Sequence, residues 1–179
     1  IIGKKRFFWI YIFSGLLGGV FFVVSGLIFN NLNIPAVGAS GAIFGLLGVL
    51  AILVPYSRIY LLIGPLILLA VEFVLGPFIP VSFQFLFGLV INILFFIMLF
   101  AILSFNPRMS KLAIPVQMPM WLLPIVAIVP LVLIDLIPGM DLPIGNSAHL
   151  GGLVLGLVYG FYLKKRFPKK TMALKNYFR

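Results

Sequence analysis

Gly38-Ala39-Ser40-Gly41-Ala42-Ile43-Phe44-Gly45 leads into the apolar run 40–54, which is too short to cross a bilayer alone. About 15 residues of helix rise ~22 Å, against roughly 30 Å of hydrocarbon. The chain before it, Asn30-Asn31-Leu32-Asn33-Ile34-Pro35-Ala36-Val37, starts polar and carries a proline, so it is expected to dip inward as irregular backbone. Non-helical chain at that depth is stable only where protein buries it or it lines a wet cavity. Ser40 is therefore expected to start a helix below the membrane surface.

The rest of the chain fits that solvent. Of 179 residues, 63% are hydrophobic and 9% charged, against roughly 45–50% and 25% in an ordinary soluble domain. Six spans are predicted, at about 7–29, 40–54, 59–76, 83–103, 119–137 and 147–163. The expectation is an all-α, polytopic membrane helical bundle forming one domain over 1–179. Cysteine is absent, which excludes disulfides, thiolate metal sites and a cysteine nucleophile. No metal or other cofactor is expected.

A net charge of +10 in a soluble protein would point to nucleic acid. Here the basic residues sit beside the ends of apolar runs, at Lys4–Arg6, Arg58, Arg108 with Lys111, and Lys164–Arg179. Alternating the span directions puts all 13 Lys and Arg on one face, with Glu72, Asp135 and Asp141 near or beyond the other. By the positive-inside rule both termini are expected to be cytoplasmic, and the tail 164–179 is expected to be an orientation signal and an anchor to anionic lipid. The expected surroundings are a lipid bilayer and no nucleic acid; oligomeric state is not legible.

The last span repeats the arrangement around Ser40. Gly145, Asn146 and Ser147 offer a turn and a cap before Ala148 and His149, the only histidine. His149, Gly152, Gly156 and Gly160 share one helical stripe, and Gly41, Gly45 and Gly48 give the run after Ser40 a comparable surface. Small residues let backbones approach closely in lipid. Both helices run in the same direction, so their starts can meet. A serine hydroxyl needs a base to become a nucleophile, and His149 is the one side chain able to act near neutral pH. Unpaired N–H groups at the Ser40 helix start could donate to an oxyanion.

Gly38-Ala39-Ser40-Gly41 with Phe44 and Gly45, and Ala148-His149-Leu150-Gly151-Gly152 with Gly156, strongly resemble the rhomboid intramembrane serine proteases. The opening stretch, Gly3-Lys4-Lys5-Arg6-Phe7 through Tyr11, Ser14-Gly15 and Gly18-Gly19, is similar to the family helix that precedes the serine loop. The resemblance covers 1–54 and 106–163. It implies that Ser40 is the nucleophile and His149 the general base. It also implies that Gly38, Gly41 and Phe44 support the oxyanion and the dyad, with Phe44 packed on the imidazole. Transmembrane protein substrates would enter laterally beside 119–137, in what is expected to be a prokaryotic cell membrane. Two departures stand out. The family's His-x-x-x-Asn oxyanion motif would lie upstream of Ile1, so the chain is expected to be a fragment lacking two core helices, and a poor enzyme alone. Residues 59–103 are expected to be an inserted helical hairpin.

Other readings compete at single residues. Serine among glycines also serves as interhelical glue, Asn92 as a hydrogen bond between helices, and Asn146 and Ser147 as caps. Glu72 near the interface has two readings, snorkelling and an ion or proton route. Two other functions are consistent with the composition: a non-proteolytic relative that binds membrane helices, and a small transporter using Glu72, Asn92 and Asp135.

Overall fold

The structure, a computed structural model, describes residues 3–29, 38–104, 106, 108–135 and 145–178. The segment 30–37 expected to dip inward, and Asp141, lie outside the described residues, as does the side chain of Asp135. The chain divides into two compact units, Ile1–Arg58 with Pro119–Arg179, and Ile59–Met118.

The first unit is built on three helices, α1 (Gly3–Ile28), α2 (Ser40–Leu53) and α6 (Asn146–Arg166). Between helices in lipid there is little hydrophobic driving force, so close packing must hold them. The buried faces show this. Helix α1 buries only Ile10, Ser14 and Gly18, one residue per turn, while α2 buries Gly41, Ala42, Gly45, Gly48, Val49, Ala51 and Leu53. Large side chains such as Phe8, Trp9, Leu16, Val20 and Ile43 instead face outward, the inverse of a water-soluble bundle.

Helices α2 and α6 run parallel with a constant register. Gly152 seats on the Gly41 carbonyl and Gly156 on the Gly45 carbonyl, while Gly160 packs beside Val49 and Ile52. Helix α1 runs antiparallel to both: Gly18 meets the start of α6 at Ala148, Ser14 packs on Gly45, and Ile10 joins Val49, Leu53 and Leu163 in the core. α5 (Leu123–Asp135) touches α2 and α6 more sparsely. A last helix, α7 (Pro168–Tyr177), follows a break at Phe167 and packs Leu174 back on the core.

The second unit holds α3 (Ile63–Leu75) and α4 (Val81–Leu103), packed on each other, with short 3₁₀ turns at Gly76–Phe78 and Ser110–Ala113. Gly64 lets α3 approach the Ala113 carbonyl, to which an added Cβ would lie 2.9 Å away. A two-stranded ribbon, β1 (Arg58–Leu62) with β2 (Pro115–Pro119), accompanies them. Its flanking bonds, Ile63 N–H to Ile114 O and Met120 N–H to Ser57 O, run antiparallel.

Among the described residues the fold is all-α apart from this ribbon, and both α1 and α4 are long and apolar enough to span a membrane. Four boundaries differ from the sequence reading. Residues 59–62 form strand rather than helix, because Pro65 lacks an N–H and its ring would clash with the Leu61 carbonyl one turn back. The helix expected from 119 begins at Leu123 for the same reason, with Pro124 set against Met120. The segment 59–103 expected as a hairpin lies in a unit that runs on to Met118. The basic tail is a helix from Pro168, a residue suited to the first helical turn.

Candidate functional site

Two helix starts create the site. Pro35 and Gly38 precede α2, and Gly38 adopts φ +148, a backbone conformation that side-chain-bearing residues rarely take. The first α2 bond runs from Ile43 N–H to Ala39 O at 3.1 Å. The N–H groups of Ser40, Gly41 and Ala42 thus precede the helical ladder. Ser40 itself is exposed. On α6 the first-turn bond runs from His149 N–H to Gly145 O at 3.1 Å, so His149 stands at the first turn, as Ser40 does on α2.

The parallel register brings these starts together. His149 Nε2 lies 2.8 Å from Ser40 Oγ, across 109 positions of sequence. That distance is within hydrogen-bond reach for proton transfer. The imidazole lies on the Phe44 ring, with centroids 4.5 Å apart and planes 18° from parallel. His149 is 8% exposed, and its Nδ1 has no hydrogen-bond partner among the described residues.

Gly38, Gly41, Phe44, Gly45, Gly152 and Gly156 all fall in or directly beneath this pair. A Cβ on Gly38 would stand 3.6 Å from Ser40 Oγ, and one on Gly41 would stand 3.1 Å from the Ala148 carbonyl oxygen. The sequence reading did not assign a role to Gly18. A Cβ there would lie 2.7 Å from that same oxygen, so α1 closes the floor beneath Ser40 and His149. The signal was available: Ile10, Ser14 and Gly18 recur at one-turn spacing, the two small ones among them.

Other candidates lie elsewhere. Asn92 Nδ2 donates to the Gly88 carbonyl of its own helix at 2.8 Å, not to a neighbouring helix. Its side chain thus recovers a partner one turn back, where apolar neighbours offer none. Glu72 on α3 is half-buried beside Gly88. At the α6 start Gly145 occupies the cap position without a side-chain cap bond, so Asn146 and Ser147 fall inside the helix rather than capping it.

A membrane-length helical chain with a hydrogen-bonded serine and histidine at two paired helix starts narrows the class considerably. The family model for the Rhomboid domain matches residues 1–113 and 94–166. The chain belongs to the rhomboid family, whose members are intramembrane proteases or inactive homologues, and it is a membrane protein. No curated protein and no solved structure matches it.

Proposed function

We propose that this chain is an intramembrane serine endopeptidase, with Ser40 as nucleophile and His149 as general base. The 2.8 Å contact between Ser40 Oγ and His149 Nε2 carries this reading. Ser40 Oγ attacks a peptide carbonyl of a membrane-spanning substrate while its proton passes to Nε2. The amides that precede the α2 ladder, at Ser40 and Gly41, face the negative charge that develops on the carbonyl oxygen. The imidazolium then protonates the leaving amine, and water, activated by the same imidazole, hydrolyses the acyl-enzyme.

Substrate approaches laterally past α5. In support, α5 contains Pro130 and leaves a cavity of about 360 Å³ against α2 and α6, lined by Ile52, Trp121, Pro124, Ile128 and Leu157. A helix so sparsely packed costs less to displace than α1, α2 or α6. The basic ends of α1 and α6, with the tail, support an orientation in which both termini lie in the cytoplasm.

Covalent labelling of the full-length protein by a fluorophosphonate tests the proposal. Wild type is expected to label, and Ser40→Ala and His149→Ala to lose the label while keeping their fold. A folded wild type that never labels overturns the reading in favour of a non-proteolytic binder of membrane helices.

A further inference from the structure

At the far end of the α1, α2 and α6 bundle from Ser40, three cations surround one ring. Arg6 lies 5.4 Å from the Phe167 centroid, and Arg166 and Lys170 each 5.9 Å. A ring face attracts a cation but cannot neutralise three. The chain has only three carboxylates, Glu72, Asp135 and Asp141, and none falls in either segment that forms the cluster. Three exposed cations converging on one ring, with no acidic side chain in these segments, offer a site to an anion.

Arg6 of this cluster also lines an apolar groove. A cavity of about 490 Å³ runs between α1 and α6, from Arg6 along Trp9 and Phe13 on one wall and along Tyr162, Tyr159 and Leu155 on the other. The seven positions from Arg6 to Phe13 rise about 10 Å along the helix. Both walls are pre-ordered, since Trp9 stacks on Phe13 at 5.5 Å and Tyr159 on Tyr162 at 5.8 Å. Tryptophan and tyrosine beside cations mark the depth at which lipid headgroups meet acyl chains.

We infer that this groove is a binding site for one anionic phospholipid. The phosphate sits among Arg6, Arg166 and Lys170, and an acyl chain lies between Trp9, Phe13, Tyr159 and Leu155. A zwitterionic lipid brings its own cation and does not relieve the cluster. The site stands apart from Ser40 and His149 and does not depend on their chemistry.

The experiment uses Trp9 as reporter in the full chain carrying Trp121→Phe, which removes the other tryptophan. The protein is reconstituted in phosphatidylcholine vesicles containing small fractions of brominated phosphatidylglycerol or brominated phosphatidylcholine. Trp9 quenching is expected to reach half-maximum at a mole fraction at least tenfold lower for the anionic lipid. Each cation near a surface contributes about fivefold. Arg6→Gln or Lys170→Gln is thus expected to lower the preference by about that factor, and the triple change with Arg166→Gln to abolish it. Lys111→Gln, outside the cluster, leaves it unchanged. Equal quenching by both lipids in the parent chain overturns the site in favour of unselective surrounding lipid. Absence of quenching by either overturns it in favour of a protein helix filling the groove.

Discussion

Replacing Gly152 by alanine adds one methyl group where the structure leaves no room. The new Cβ would overlap the Gly41 carbonyl oxygen and lie 2.7 Å from its carbon. These are backbone atoms, so no side chain can rotate aside. Restoring an ordinary C···O contact of about 3.3 Å forces α2 and α6 apart by roughly 1 Å or more. Overpacking of this kind costs about 1–3 kcal/mol, against ~1 kcal/mol regained from the better helix propensity of alanine. Net destabilisation should therefore be modest, near 1 kcal/mol. Function should suffer more. His149 is three residues before Gly152 and Ser40 one before Gly41, so the separation falls on their 2.8 Å contact. A proton donor and base are useful within about 2.6–3.2 Å, and a 1 Å displacement can cost ~100-fold in rate. Gly19→Ala is the control, because nothing lies within 4 Å of a Cβ there. The assay pairs the fluorophosphonate labelling rate with thermal unfolding followed by circular dichroism. Expected is a labelling loss near 100-fold for Gly152→Ala with a small fall in melting temperature, and wild-type labelling for Gly19→Ala. A Gly152→Ala protein that labels at the wild-type rate, or a Gly19→Ala protein that fails equally, refutes the argument from helix contact.

Three further outcomes are expected. Phe44→Leu removes a stack worth about 0.5–1.5 kcal/mol beyond its buried area, and labelling should fall roughly tenfold because the imidazole loses its fixed plane; an unchanged rate would mean that the ring is held by other contacts. Gly38→Ala meets φ +148 rather than a clash; strain of about 1–3 kcal/mol should appear as a lower unfolding temperature, with Gly38→Asn no worse than alanine. The labelling rate should rise with pH and then level off, since an imidazolium cannot accept the Ser40 proton, with a slope of about one decade per pH unit on the acid side. Kinetics from pH 5 to 9 check this, and a rate that falls as pH rises through the neutral range would contradict a base role for His149.

What could be read from sequence follows from which interactions are local. The start of α2 at Ser40 is legible because Gly38, two residues before it, breaks regular backbone there. The meeting of Ser40 with His149 is legible because the two glycine stripes carry the same spacing, Gly41 and Gly45 against Gly152 and Gly156. The ribbon was missed because apolarity alone does not separate a helix from a strand in Ile59-Tyr60-Leu61-Leu62. The clash of Pro65 with the carbonyl of Leu61 does separate them. Helix α7 was hidden by its lysines, although Phe167, Thr171 and Leu174 recur at helical spacing and face the core. Thr171 Oγ1 also donates to the Phe167 and Pro168 carbonyls, at 3.1 and 2.9 Å, which ties the first turn of α7. The partner of Asn92 was not legible, because a side-chain amide can bond its own helix or a neighbour with equal ease.

The way His149 is held bears on why such a site suits a membrane. In water, a serine hydrolase commonly orients its histidine with a buried carboxylate. Inside a bilayer an ionised carboxylate carries a large desolvation cost, and one left unpaired between turnovers would destabilise the fold. Here Nδ1 has no partner among the described residues, and the ring is held by its stack on Phe44 and by Nε2 on Ser40 Oγ. Neither contact requires a standing charge. Among the described residues the backbone adds to this positioning: Gly18 and Gly41 both approach the Ala148 carbonyl, one residue before His149. On the proposed mechanism the base is thus aimed by three helices meeting at glycines, which is why a single methyl group at their contact should cost more in rate than in stability.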